Sequence, residues 1–172
     1  YPEAYMNRGR SLATIGGAEN LKKAVADYTR AIELQPEYAE AYHHRGYALN
    51  IQKDYAAALE DFDKCISLQP NNAHSHFGRG YALSNLGYQS EPQAARDERL
   101  RDALESFDEA VRCDPNHSDA HHDRGVILGQ LGKRKEALEA LNRALELDPT
   151  KAKVMFSKAL TLCSRAPGYP LE

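Results

Sequence analysis

An all-α fold, made of helix hairpins stacked into a solenoid, is predicted by three observations. Within residues 39–72 two sets of apolar residues recur at helical spacing: Tyr42, Tyr47, Ala48, Leu49 and Ile51, then Tyr55, Ala58, Leu59, Phe62, Ile66 and Leu68. The signals that start and stop helices sit between and after them. Gln52-Lys53-Asp54 is a polar break whose Asp54 can accept from the first free N–H groups of a second helix, and Pro70 ends that helix. Finally, the same unit returns along the chain. Two short amphipathic helices cannot bury their apolar faces alone, so the pair is a hairpin that needs neighbours.

The recurrence is specific. Tyr5, Arg8, Gly9, Leu12, Ala24, Tyr28, Ala31 and Pro36 align with Tyr42, Arg45, Gly46, Leu49, Ala58, Phe62, Cys65 and Pro70. The set comes again as His76, Arg79, Gly80, Leu83, Ala103, Phe107, Ala110 and Pro115, and as His121, Arg124, Gly125, Leu128, Ala137, Leu141, Ala144 and Pro149. The second and fourth copies are 34 residues long. In period and in the order aromatic, Gly, Ala, aromatic, Ala, Pro, the chain resembles the tetratricopeptide repeat (TPR) family over nearly its whole length. It departs from that pattern in two ways: Arg stands before the Gly in every copy, and the first aromatic is His in the third and fourth. The resemblance implies a right-handed superhelix of antiparallel helix pairs. A single domain over 1–165 is expected, with repeats at about 2–38, 39–72, 73–117 and 118–151, a capping helix at 152–164 and a linker or tail at 166–172.

Taken in order, the first repeat carries three extra residues around Gly16-Gly17, for which a slightly longer turn is expected. The third carries eleven, near 88–101. There Ser90-Glu91-Pro92-Gln93 reads as a helix start with Ser90 as cap, followed by good helix formers from Ala94 to Arg101. A second helix extended backwards by two or three turns, projecting past the solenoid body, is predicted. The final helix repeats the first-helix pattern at Met155, Lys158, Ala159 and Leu162, yet Val154, Met155, Phe156 and Leu160 make it apolar around its circumference. Either further protein covers it or it self-associates. The chain opens inside a repeat without an initiator methionine, so a longer parent protein with further repeats or another domain is expected.

Composition narrows the function. The net charge of −3 gives no basic field for nucleic acid or an anionic membrane. No apolar run approaches membrane-spanning length, and no signal-peptide pattern opens the chain. Of Cys65, Cys113 and Cys163, two sit on second helices at or beside a small apolar position, so reduced, buried thiols are expected and point to a cytoplasmic location. No nucleophile elbow, glycine-rich phosphate loop, HExxH or CxxC is present, so no catalysis, cofactor or metal is expected. Of the seven histidines, His76 and His121 stand where the pattern wants a packing aromatic, and adjacent His43 and His44 diverge by about 100° on a helix. His43 and His74 on neighbouring first helices form a conceivable pair, but no carboxylate or thiolate is arranged with them.

A site emerges only through the resemblance, which implies that first helices line a concave groove. Its ligand-facing positions here include Arg10, His43, Tyr47, Asn50, His74, Phe77, Tyr81, Asn85, His122 and Gln130. Tyr47, Phe77 and Tyr81 offer aromatic faces, and Asn50, Asn85 and Gln130 offer amides able to pair with a peptide backbone. Chaperone-tail-binding relatives carry Lys and Asn where this chain has Met6, Arg10, Tyr47, Phe77 and Tyr81, so a two-carboxylate clamp is not expected. Binding a peptide segment of a partner protein is the expected function. The alternatives are a targeting or regulatory arm of a larger enzyme, and a self-assembly module. The Arg8, Arg45, Arg79 and Arg124 ladder is expected to pair with Asp27 and Asp61 in the first two repeats; Ser106 and Ala140 leave its second half without an acid.

Overall fold

The computed structural model describes residues 1–90 and 92–163. Among these, nine helices follow one another through short turns: α1 (Pro2–Ile15), α2 (Ala18–Leu34), α3 (Ala39–Ile51), α4 (Tyr55–Leu68), α5 (Ala73–Tyr88), α6 (Gln93–Cys113), α7 (Ser118–Gln130), α8 (Arg134–Leu147) and α9 (Ala152–Cys163). The expected tail, 166–172, lies outside the described residues, as do Ser164 and Glu91. Consecutive helices pack as hairpins, and each hairpin packs on the next. The odd-numbered helices also meet their counterparts in adjacent repeats, whereas no even-numbered helix meets the next even-numbered one among the described residues. The stack is therefore a solenoid whose inner wall is α1, α3, α5, α7 and α9.

Each hairpin closes on one large side chain of its second helix. Tyr28, Phe62, Phe107 and Leu141 are all at most 1% exposed, with a fully buried Ala one turn before (Ala24, Ala58, Ala103, Ala137). Facing them is the glycine of the first helix. A Cβ at Gly9, Gly80 or Gly125 would come within 2.7–2.8 Å of that side chain, and at Gly46 within 3.1 Å. Burying such a side chain contributes about 1.5–3 kcal/mol, so the glycine sets how close the two helices lie. Asp54 caps α4 as predicted, accepting from the Ala57 N–H. Asn72 caps α5 and His117 caps α7 in the same way.

The three extra residues of the first repeat do not lengthen its turn. The turn is only Gly16-Gly17, and the additional Ala18-Glu19-Asn20 form one more helical turn of α2 ahead of Leu21, which is buried where Tyr55 is in the second repeat. The left-handed turn residue is Gly16 (φ 75°), Lys53 (φ 66°) and Gly132 (φ 77°) in the first, second and fourth repeats. In the third the equivalent Gly87 stays helical, because α5 runs on to Tyr88. A Cβ there would lie 3.2 Å from Arg99 Cβ and 3.3 Å from Leu100 Cδ2, so Gly87 lets a lengthened α5 rest against a lengthened α6. The extension is thus a two-helix arm rather than a lone spur. Nor is Ser90 a cap: its hydroxyl donates back to the Leu86 carbonyl, and α6 begins at Gln93.

The arginine ladder is complete, by a route the repeat pattern does not show. Arg8 and Arg45 each make two hydrogen bonds to the acid of their own repeat, Asp27 (2.7 and 2.5 Å) and Asp61 (2.8 and 2.6 Å). Arg45 also donates backwards to Thr29 of the preceding repeat. From Arg79 the arrangement reverses. Its guanidinium donates to Ser106 in its own repeat and to Asp63, one position past Phe62, in the preceding one. Arg124 likewise reaches back to Asp108, one position past Phe107.

Of the two second-helix cysteines, only Cys65 fulfils the expectation of burial. Cys65 is enclosed and accepts from the Ser75 hydroxyl, and burial pushes its thiol up; Cys113 is half-buried and Cys163 exposed. On α9, Val154 packs with Leu141 and Ala144, while Met155, Phe156, Leu160 and Leu162 face outward.

Candidate functional site

The inner wall carries a line of clefts, and Tyr47 on α3 joins three of them. A cleft of about 390 Å³ is lined by Tyr47, Asn50, Ile51, Phe77, Gly78, Tyr81, Asp119, Asp123 and Lys153. A second of the same volume lies between His43, His44, Tyr47, His74, Phe77, His117 and Asp119. Arg10 stands in a third, of about 310 Å³, again with Tyr47 and Ile51. Tyr81 continues the line into a smaller recess with Asn85, Tyr88 and Asp123. Gln130 lies beside Val126, Ser157, Leu160 and Thr161 where α7 meets α9, and its side chain hydrogen-bonds Tyr88 of the neighbouring recess.

The predicted residues divide by what they can still offer. Tyr47 (53% exposed) and Tyr81 (40%) present exposed rings, that of Tyr81 also meeting Tyr55 in a T-shaped contact at 6.3 Å. Phe77 is half-buried between Phe107 and His117 and forms a wall. Asn50 is 7% exposed and lies at the cleft floor; its Nδ2 donates to the Gly78 carbonyl (3.1 Å), while its Oδ1 is buried without a hydrogen-bond partner. Asn85 donates to the Tyr81 carbonyl of its own helix. Two histidines serve instead to fasten adjacent inner helices. His43 Nδ1 lies 2.9 Å from Ser75 Oγ, and buried His122 bridges Ser157 Oγ (3.0 Å) and Asp123 (2.7 Å). His74 Nδ1 faces His117 Nε2 at 3.2 Å.

Asp123, Lys153, His44 and His117 are not among the predicted groove residues. Asp123 and His44 are one step beyond the ligand-facing positions that the family implies, and Lys153 belongs to a helix read as a cap or a self-association surface rather than as groove wall. Their signal is the periodicity itself, since a helix face is wider than one residue. Lys153 and Lys151 reach Asp119 at 2.7 and 3.2 Å, closing this end of the groove with ion pairs. Burial works against ionising Asp119, but the hydrogen bonds and charges of the two lysines together hold its carboxyl below the ordinary range.

Burial pushes His43 down to about 4, helped by His44 and His74, and lowers His44 and His117 in the same direction. The unfolded chain takes up a proton near 6.5 that the folded His43 refuses until about 4. Stability is therefore present above pH 6.5 and falls as pH drops through that window, by about 2 kcal/mol for a partly exposed ring. Chemical denaturation at pH 7 and pH 4.5 should show this loss, and His43→Gln should reduce it. Equal losses in both proteins would remove His43 from the acid response.

Models of the tetratricopeptide repeat match residues 39–72 and 118–151, and a TPR repeat model matches 18–50, together just over half of the chain. No curated protein matches the sequence. Solved structures do. A thermophilic TPR protein, TTC0263 of Thermus thermophilus, superposes with a TM-score of 0.78 at 22% identity, over 94% of this chain and 81% of that one. MamA from residue 41 to its end, from Desulfovibrio magneticus RS-1, gives 0.71 at 23% identity over 88% and 78%. The first TPR of Spaghetti (RPAP3), solved with the HSP90 peptide SRMEEVD, gives 0.64 at 21% identity over 72% and 90%. Identities this low speak for the fold alone. With the repeat models, the nine helices and the glycine-aromatic closures in agreement, the chain belongs to the tetratricopeptide repeat family, a fold that serves as a protein-interaction scaffold.

Proposed function

We propose that the inner groove binds an extended or short helical peptide segment of a partner protein, centred on Tyr47, Asn50, Phe77 and Tyr81. The observation that carries this reading is the central cleft: two exposed tyrosines stand over a floor whose Asn50 amide holds an unpaired acceptor. Tyrosine rings anchor an apolar side chain at small entropic cost, and rotation of the Asn50 amide would bring its buried, unpaired Oδ1 to a peptide N–H. Asp119, Asp123 and Lys153 place both signs of charge at one side, which suits a segment carrying a basic residue near its anchor. Arg10 is left to hold a single carboxylate at the far end. His43, His122 and Asn85 act in this reading by holding the groove's shape.

A random peptide library displayed against the folded chain tests the proposal. Ligands selected on the native protein should lose about 1–2 kcal/mol of affinity with Tyr47→Ala and again with Tyr81→Ala, both remaining helical by circular dichroism. Ligands that bind the double variant unchanged would place recognition elsewhere, on the two-helix arm of the third repeat or on α9.

A further inference from the structure

Three side chains of the third repeat that take no part in the groove converge at the base of its hairpin. His76 lies on α5, and Glu109 and Cys113 lie one turn apart at the end of α6; one ligand atom from each falls within 4.8 Å of the other two. The other repeats act as internal controls. At the position of His76 they have Tyr5, Tyr42 and His121; at that of Glu109, Arg30, Lys64 and Arg143; at that of Cys113, Leu34, Leu68 and Leu147. A basic residue and a leucine have become a carboxylate and a thiol in the same copy, where a histidine already stood.

The surroundings suit coordination. Tyr42 donates its hydroxyl to the Pro36 carbonyl, and His76 takes over that role with Nε2, 2.8 Å from the Pro70 carbonyl. A ring that donates through Nε2 has its remaining lone pair on Nδ1, and a backbone carbonyl on the opposite nitrogen is the support that metal-bound imidazoles use. Both Arg112 contacts to Glu109, at 2.8 and 2.7 Å, go to Oε2, and Arg112 Nη2 also donates to Cys113 Sγ at 3.7 Å, a contact that the ion would displace. His76 is buried, and Glu109 and Cys113 are half-buried, so the cluster has both a fixed side and an open one.

We propose that His76, Glu109 and Cys113 bind a divalent metal ion of the zinc type, with water at the fourth position. Imidazole nitrogen, thiolate sulfur and a single carboxylate oxygen select zinc over magnesium or calcium, which take oxygen ligands. Ligand atoms around tetrahedral zinc stand about 3.3–3.8 Å apart, so side-chain rotation of roughly 1 Å closes the site. The Cys113 thiol gives its proton to solvent as the metal–sulfur bond forms, and affinity therefore rises with pH. The ion would clip the start of α5 to the end of α6 in the repeat with the longest arm.

Cobalt(II) is the probe, titrated into the whole chain under reducing conditions and followed by its thiolate charge-transfer absorption, then displaced with zinc. One equivalent should bind. Cys113→Leu and Glu109→Lys install residues that the second repeat already carries, so they preserve the fold. The first should abolish the band, and the second should weaken binding at least about tenfold. Cys163→Ser and His74→Ala should change neither. Absence of the band in the native chain, or its survival in Cys113→Leu, overturns the site.

Discussion

Arg45→Ala should lower the free energy of unfolding by about 3 kcal/mol, read as a reduced denaturation midpoint. The cost arises less from the lost attraction than from what is left behind. Asp61 is only 4% exposed and receives two hydrogen bonds from Arg45, so truncation strands a buried carboxylate. Burial already pushes the Asp61 carboxyl up despite the guanidinium, and the same carboxylate pushes Arg45 up. Arg124→Ala is the internal comparison. Its partner Asp108 is half exposed and can turn to water, so the loss should be at most about 1 kcal/mol. Replacing Arg45 and Asp61 together by Met and Leu should recover most of the stability, since no charge is then buried alone. Equal costs for Arg45→Ala and Arg124→Ala would show that burial of Asp61 does not govern the pair.

Gly78→Val should cost about 3 kcal/mol, the upper end of what overpacking a filled core does. Gly78 is not the glycine of the repeat pattern; that residue is Gly80, and the position of Gly78 holds Asn7, His44 and Asp123 in the other copies. It is small for a reason local to one boundary. Phe62 of the preceding hairpin reaches so far that a Cβ at Gly78 would sit 2.3 Å from its ring. Phe62 is fully buried and cannot swing away. Gly78 also accepts the Asn50 amide at the groove floor, so displacement of α5 disturbs the site as well as the core. Calorimetry on Gly78→Val, alone and with Phe62→Leu, measures the coupling: the double variant should be destabilised by less than the sum of the two single changes. Strict additivity would mean that the ring and the new side chain do not compete for space.

Legibility followed the kind of interaction involved. Helices, hairpin closures and the Asp54 cap depend on residues within one repeat, so the 3.6-residue period and the internal alignment exposed them. What depends on two repeats at once was hidden. Asp63 and Asp108 were visible as sequence, one step past Phe62 and Phe107, but a search for acids within each repeat could not pair them with Arg79 and Arg124. The same holds for the groove. Tyr47 and Tyr81 stay exposed in the clefts between hairpins, whereas His43 and His122, on equivalent positions, find Ser75 and Ser157 across a helix boundary. The arm of the third repeat was half legible. Good helix formers announced α6, but the continuation of α5 depends on Gly87 remaining helical against Arg99 and Leu100, a tertiary choice at a residue that favours turns as readily.

The change of partner along the arginine ladder gives the solenoid a direction. In the first two hairpins the guanidinium is matched at home, by a carboxylate shielded from water. In the third and fourth it depends on an acid lent by the hairpin before, on the surface. A fragment ending at Asn72 therefore keeps its ionic contacts whole and leaves over only Asp63, a solvated charge. A fragment beginning at Ala73 loses the acid that Arg79 grips and leaves it only the Ser106 hydroxyl. Each lent acid is solvated and worth at most about 1 kcal/mol, so the ladder tilts fraying under denaturant toward the later hairpins, while apolar contacts such as that of Phe62 with α5 serve both sides of a boundary alike.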